Sequence, residues 1–422
     1  MTIKSAMLGI LVFVFTGGLA LADDSELILS ECRRAPTHSF CHPQNFADPK
    51  SAPPIRLRTP TNIRDDGTTG YQWTTATPYY LSNRERLSTY RGEKPQATGR
   101  LLFGKVTVLV QAANTDTGEL MHDHGLKSSK RPVWEPKPLK AHDFTSLLHK
   151  QLSDSTNGIT IYVHGIRNSF ADAARDAASL KSSLPPEKEV VFYSWPAEVF
   201  GTSAIPWSRN FPIHFSNGYK RTRRMADQSV AALADSLKDI LSFGAKSSSI
   251  YAHSMGSLLT VAALRRLAET EGSDFGGLQN VALVAADLSI KDFNNLEMQL
   301  DVTNNPSSLH VYCHPYDMAL LAGQRHDGDQ RVGLCFGDQD RHRAPFVSVF
   351  RVDRLHVADP DEDAFRHSYQ ASEPVLSHAA KELSKPNELQ RPHTNGHRKS
   401  ISDVFLRVKR LTSSDALHPG TP

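Results

Sequence analysis

Ser254 stands in the stretch YAHSMGSLLT, between an apolar run and a helical pattern. A serine so placed can attack a carbonyl only if the chain also supplies a base, a carboxylate and donors for the developing oxyanion. Its hydroxyl is a weak nucleophile until a histidine takes the proton, and that histidine needs a carboxylate to fix its tautomer and stabilise its charge. Asp317 closes LHVYCHPYD, and His367 lies in FRHSYQ after the last strand-like run, so serine, acid and histidine occur in that order. Asp287, closing VALVAAD, is the alternative acid, and its competing role is to cap a helix starting at Leu288. His356 is the alternative base, although its place beside a strand speaks for packing. Ser254 itself could be a plain helix cap, so its partners must decide.

A reactive serine on a strained turn between strand and helix needs small neighbours, because the turn packs tightly. The local pattern is A-H-S-M-G, with Ala252 and Gly256 in the two small positions. One oxyanion donor would be the backbone N–H of Met255. The second is expected from the loop in YVHGIRNSF, where Gly165 permits an unusual backbone and the N–H of Ile166 is the chosen donor. His164 is read as a support of that loop by hydrogen bonding rather than as a base. This chemistry requires no metal or organic cofactor, and the sequence holds no C-x-x-C or H-E-x-x-H zinc pattern.

The elements that must position these groups are legible around them. RLLFGKVTVLVQAA, GITIYVHGI, EVVFYSW, SSIYAHS, NVALVAAD, SLHVYCHPYD and FVSVFRVD read as strands. In SFADAARDAASLKSSL, residues Phe170, Ala173, Ala174, Ala177 and Leu180 share one helical face, with Ser169 and Asp172 as a capping pair. A second helix is expected from about Met225 to Phe243, with Val230, Leu233, Ala234, Leu237, Ile240 and Leu241 on its apolar face. After Ser254, Leu258, Val261, Ala262 and Leu264 are expected to face the sheet. Continuous apolar runs alternating with amphipathic helices predict an α/β class with a mostly parallel sheet covered on both faces. Reactive groups then collect at the carboxyl ends of the strands. Between them, AEVFGTSAIPWSRNFPIHFSNGYKRTRR interrupts the pattern as a lid-like insert, with Phe200, Trp207, Phe211, Phe215 and Tyr219 as candidate pocket aromatics.

The 422 residues, 39% of them hydrophobic, suffice for one large domain with appendages, and the net charge of +3 is too weak a bias to argue for nucleic acid. MTIKSAMLGILVFVFTGGLALADD has the form of a cleavable signal peptide, with cleavage expected after Ala22 and a periplasmic or secreted destination. Export would favour disulfides among Cys32, Cys41, Cys313 and Cys335. The most local of three pairings is Cys32 with Cys41 and Cys313 with Cys335, but the sequence does not choose among them. Residues 23–98 are expected as an extended Pro/Thr-rich arm, 99–384 as the catalytic domain and 385–422 as a polar, basic tail, read as solvated although its ISDVFLRVKRL could touch a membrane surface or a partner. The acidic HVADPDEDAF misses the calcium-loop spacing and is read as a solvated loop. Oligomeric state is open.

Taken in order, YVHGIRNSFADAARDAASL, VVFYSWP, AHSMGSLLT, VALVAADLSIKDF, YCHPYDMAL and RHSYQ resemble a family of bacterial α/β-hydrolases long classed as a domain of unknown function, over roughly residues 100–380. The resemblance implies an α/β-hydrolase fold with Ser254 as nucleophile, Asp317 as acid and His367 as base, and it supplies no substrate. The expectation is an exported serine hydrolase acting on a small-molecule or lipid ester. An acyltransferase on the same fold and a non-catalytic envelope binding protein are the alternatives.

Overall fold

The computed structural model describes residues 73–87, 97–111, 133, 136–152, 158–197, 211–242, 248–271, 277–301, 307–335, 344, 346–352, 367 and 369–385, all within the unit Leu57–Pro422. Five strands come first: β1 (Trp73–Ala76), β2 (Tyr79–Arg84), β3 (Ala97–Lys105), β4 (Val108–Gln111) and β5 (Lys137–Leu139). Helices and strands then alternate as α1 (Ala141–Leu152), β6 (Gly158–Val163), α2 (Phe170–Ser183), β7 (Lys188–Ser194), α3 (Phe211–Ser242), β8 (Ser248–His253) and α4 (Met255–Glu271). The series closes with β9 (Leu278–Val284), α5 (Ile290–Asp301), β10 (Ser308–Cys313), α6 (Met318–Asp327), β11 (Val347–Arg351) and α7 (Glu373–Ser384).

The expected sheet forms. Its order among the described residues is β11-β10-β9-β8-β6-β7-β2-β3-β5. Every pairing from β11 to β2 is parallel, and only β3 and β5 join antiparallel at one edge. β6 and β8 are buried along their whole length, which is why their sequences lack polar alternation. Successive residues feed two different cores. Ile159, Ile161, Val163, Ile250 and Ala252 meet α1, α3, α4 and α5 on one face, while Tyr162, Tyr251, Ala282 and Val284 meet α2 and α7 on the other. Because β7 and β8 flank β6 on opposite sides, the chain reverses its direction across the sheet there, the point beyond whose carboxyl strand ends open α/β sheets generally bind ligands.

Local signals hold where the pattern was strong. Ser169 and Asp172 form the reciprocal capping box of α2, and Phe170, Ala173, Ala174, Ala177 and Leu180 are buried. On α4, Ala263 is buried where Ala262 was expected, a one-residue shift in a helix covered nearly all round over its first two turns.

Three boundaries move. RLLFGKVTVLVQAA is two strands, because β3 pairs with β2 in the large sheet while β4 pairs with β1 in a separate two-stranded one. The chain crosses between sheets at Val106–Thr107, opposite Thr77–Pro78, where Val106 N–H donates to Pro78 O at 3.1 Å. The helix expected from Met225 starts at Phe211, since the insert's second half continues the same helix. Most consequentially, the stretch expected as an arm supplies β1, β2 and the start of β3, and β2 lies inside the sheet beside β7. Its Ser82, Asn83 and Arg84 are buried polar residues, which hide a central strand from any reading based on hydrophobicity. Residues 1–22, 23–72, 386–422 and the acidic stretch at 356–365 lie outside the described residues.

Candidate active site

Ser254 follows β8 directly and α4 begins at the next residue. Its φ is 53°, a left-handed conformation that costs a non-glycine residue energy and persists only where the surroundings enforce it. Ser254 N–H donates to Val284 O at 2.9 Å, and Ser254 O accepts from the N–H groups of Ser257 and Asp287 at 2.9 and 3.2 Å. A Cβ on Gly256 would stand 2.4 Å from His164 O, so only glycine lets the first turn of α4 sit on the end of β6. The small residue expected at that position therefore has a specific steric cause. Among the described residues, the other non-glycine residues with positive φ are Arg167, Ala285 and Cys335; Arg167 and Ala285 follow β6 and β9, and Cys335 is bonded to Cys313 at the end of β10.

Asp317 caps α6, where Oδ1 accepts from Leu320 N–H at 3.0 Å. Its Oδ2 lies 2.7 Å from His367 Nδ1, and His367 Nε2 lies 2.9 Å from Ser254 Oγ. A carboxylate only accepts, so the ring proton sits on Nδ1 and the Nε2 lone pair faces the serine hydroxyl. Asp317 is fully buried, Ser254 is 2% exposed and the His367 side chain 12% exposed, so the line from acid to serine is shielded yet reachable at its histidine. His253 packs on His367, with ring centres 5.1 Å apart, and its Nε2 lies 3.4 Å from His367 O. Burial, reinforced by His367, pushes the His253 pKa well below the usual histidine range, so it adds no charge beside the site.

The segment expected to supply the second donor lies against the serine. A Cβ on Gly165 would be 2.9 Å from the Ser254 Cβ and 2.8 Å from His253 Nδ1, so no side chain fits between them. Met255 N–H opens α4 and belongs to the first turn, whose N–H groups have no acceptor within the helix. Ile166 N–H has no main-chain acceptor among the described residues. His164 is wholly buried and supports the loop, as expected: its Nδ1 lies 2.8 Å from Gly165 O, and its ring stacks on Trp195 at 5.4 Å. Trp195 returns a bond from Nε1 to His164 O at 2.8 Å. Burial, with the charge of Arg84, lowers the His164 pKa to about 3, which keeps the ring neutral and a weak base near neutrality.

The alternative acid is elsewhere engaged. Asp287 accepts from Tyr219 Oη at 2.9 Å and pairs with Arg331 Nε at 3.0 Å, a charge contact rather than an aligned hydrogen bond. It is not the cap of α5 either, because Ser289 accepts from Asp292 N–H there at 3.0 Å. His356 lies outside the described residues, as do Phe200 and Trp207 of the insert, whereas Tyr219 is buried on α3 within the Asp287 cluster rather than lining a pocket. The side chains of Phe211 and Phe215 are likewise outside the described residues. Cys313, at the end of β10, is bonded to Cys335, and Cys32 and Cys41 lie outside the described residues. Sequence reasoning passed over Arg84, Trp195 and Arg331. The available signal for Arg84 was an arginine closing an aromatic-led YYLSNR, but its meaning depends on β2 being central.

A parallel sheet covered on both faces, reversing at β6, with a strained serine at the end of β8 facing a histidine and an aspartate, defines an α/β hydrolase. The chain belongs to the α/β-hydrolase family of unknown function (DUF900), whose family model matches residues 140–383. No curated protein matches it significantly. Among solved structures, that of a candidate hydrolase from Agrobacterium vitis S4 aligns over 75% of this chain and 100% of its own, at 9% identity and a TM-score of 0.30.

Proposed function

We propose that the protein is an exported serine hydrolase that cleaves a carboxylic ester through an acyl-enzyme. The observation that carries this reading is the connected pair of distances, 2.9 Å from Ser254 Oγ to His367 Nε2 and 2.7 Å from His367 Nδ1 to Asp317 Oδ2. Ser254 Oγ attacks the carbonyl carbon while its proton passes to His367 Nε2, and Asp317 stabilises the resulting imidazolium. The N–H groups of Ile166 and Met255 receive the tetrahedral oxyanion. Collapse expels the alcohol, which takes its proton from His367, and water then repeats the sequence on the acyl-enzyme. The exposed Tyr316 and Met318, the chain neighbours of the buried Asp317, support a lipid ester or an acylated envelope component as the substrate. Export is supported by the amino-terminal signal pattern and by the Cys313–Cys335 disulfide, a bond favoured in oxidising compartments.

Intact-mass analysis after treatment with a fluorophosphonate tests the site. A single adduct on the native protein and none on Ser254→Ala is expected. A folded native protein that takes no adduct would overturn the reading. Products formed with and without an added alcohol acceptor then separate hydrolysis from acyl transfer.

A further inference from the structure

We infer that Arg84 is a positioning residue of this site: its buried guanidinium fixes the loop and the His164 tautomer that aim the Ile166 N–H at the oxyanion. The inference rests on the proposed serine chemistry for its catalytic meaning, though not for its geometry.

A guanidinium that is 1% exposed at the end of a central strand is costly, and an apolar residue there would commonly serve stability as well or better. Its hydrogen-bond partners are neutral. Nε donates to Ser194 Oγ at 2.8 Å, Nη2 donates to Asn168 O at 2.8 Å, and the same Nη2 lies 3.5 Å from His164 Nε2. Nη1 is buried without a hydrogen-bond partner, so part of the desolvation cost is left uncompensated. One nitrogen thus ties residues 164 and 168, the two ends of the segment that carries Ile166 at its centre and the left-handed Arg167 beside it.

The tautomer follows from the donors. His164 Nε2 faces Trp195 N–H at 3.2 Å and Arg84 Nη2, and neither group can accept, so Nε2 must hold the lone pair. The proton therefore sits on Nδ1 and is donated to Gly165 O. No peptide bond among the described residues is cis. In a trans peptide the carbonyl and the following N–H point in opposite directions, so holding Gly165 O on the His164 side turns the Ile166 N–H away from it. Reversing the tautomer would place two acceptors together at Gly165 and release that peptide.

The test combines a spectroscopic signature with a rate. In protein labelled with ¹⁵N-histidine, the His164 ring, assigned through its contact with Trp195, is expected as the Nδ1–H tautomer. An Nε2–H tautomer in the native protein would overturn the inference without reference to any activity. Second-order labelling of Ser254 by the fluorophosphonate is expected to slow about 10- to 100-fold in Arg84→Met, the scale of a small misplacement in an active site, with Arg84→Lys intermediate. A folded Arg84→Met protein with the native tautomer and native labelling rate would also overturn it. If the native protein does not label at all, the serine-hydrolase reading fails, and a comparison of the His164 tautomer between the native protein and Arg84→Met still decides whether Arg84 sets this loop.

Discussion

Asp287 and Asp317 stand beyond the ends of neighbouring parallel strands, each closing an apolar run, yet their surroundings give them opposite occupations. Asp287 is held by a buried arginine and a tyrosine, in a cluster that continues to Asp327, Arg223 and His326. Asp317 caps a helix with one oxygen and leaves the other to a histidine whose far nitrogen faces a serine. A carboxylate already paired with a guanidinium has spent its charge, whereas one paired with a neutral imidazole can stabilise a charge that appears only during reaction. The difference lies in the partner, which arrives from a distant part of the chain in both cases.

The sharpest way to break this comparison is Asp317→Asn. Asparagine is as good a cap, so Leu320 N–H keeps an acceptor and the fold should survive. Turnover is expected to fall about 10⁴-fold, or about 5.5 kcal/mol of barrier, as the histidine loses its tautomer control. Asp287→Asn should do the reverse. Breaking a buried ion pair costs about 3–5 kcal/mol of stability, read from urea unfolding, while labelling of Ser254 in the folded fraction stays close to native. If instead Asp287→Asn abolished labelling and Asp317→Asn left it intact, the two assignments would have to be exchanged.

A smaller effect concerns what holds the acid loop in place. The Cys313–Cys335 bond closes a loop of sequence separation 22 that contains Asp317, and Cys313→Ser with Cys335→Ser should cost about 3 kcal/mol, measured by thermal unfolding without reductant. The smallest expected effect is at α2, where Ser169→Ala removes one cap and should cost about 1 kcal/mol with little change in labelling rate. Acid also separates the two regions. Burial alone would raise the Asp327 pKa, but hydrogen bonds and charge from His326, Arg331 and Arg223 hold it below the ordinary carboxylate value. Its stabilising contribution is therefore present above about pH 4 and is lost as pH falls through its folded-state value, which unfolding midpoints at pH 7 and pH 3 would register.

The legible parts of this chain were those where one physical signal dominated. Uninterrupted apolar runs gave away β6, β8 and β9 because both of their faces are covered, and Ser169 with Asp172 marked the start of α2 because a capping box is local. The serine, acid and histidine could be ordered along the chain because the sheet imposes that order on its strand ends. Residues 73–84 were opaque for the opposite reason. β2 buries Ser82, Asn83 and Arg84, and a buried polar residue looks like a loop residue until its partners, Ser194 on β7, Ser229 on α3 and Asn168 beyond β6, are in view. Asp287 was ambiguous because Arg331, which engages it, lies 44 positions further on and carries no local mark.

The placement of β2 also sets where the chain can be cut. The family match begins at residue 140, after all five of the first strands, yet β7 hydrogen-bonds β2 from Tyr79 to Ser82 on its outer side. A fragment starting at the family boundary would bare that row of peptide groups on a strand buried along nearly its whole length, a ready template for sheet-to-sheet association. It would also lose Arg84. The smallest autonomous folding unit is therefore longer than the stretch that family membership marks out, and soluble expression should require the segment from about residue 73 onward.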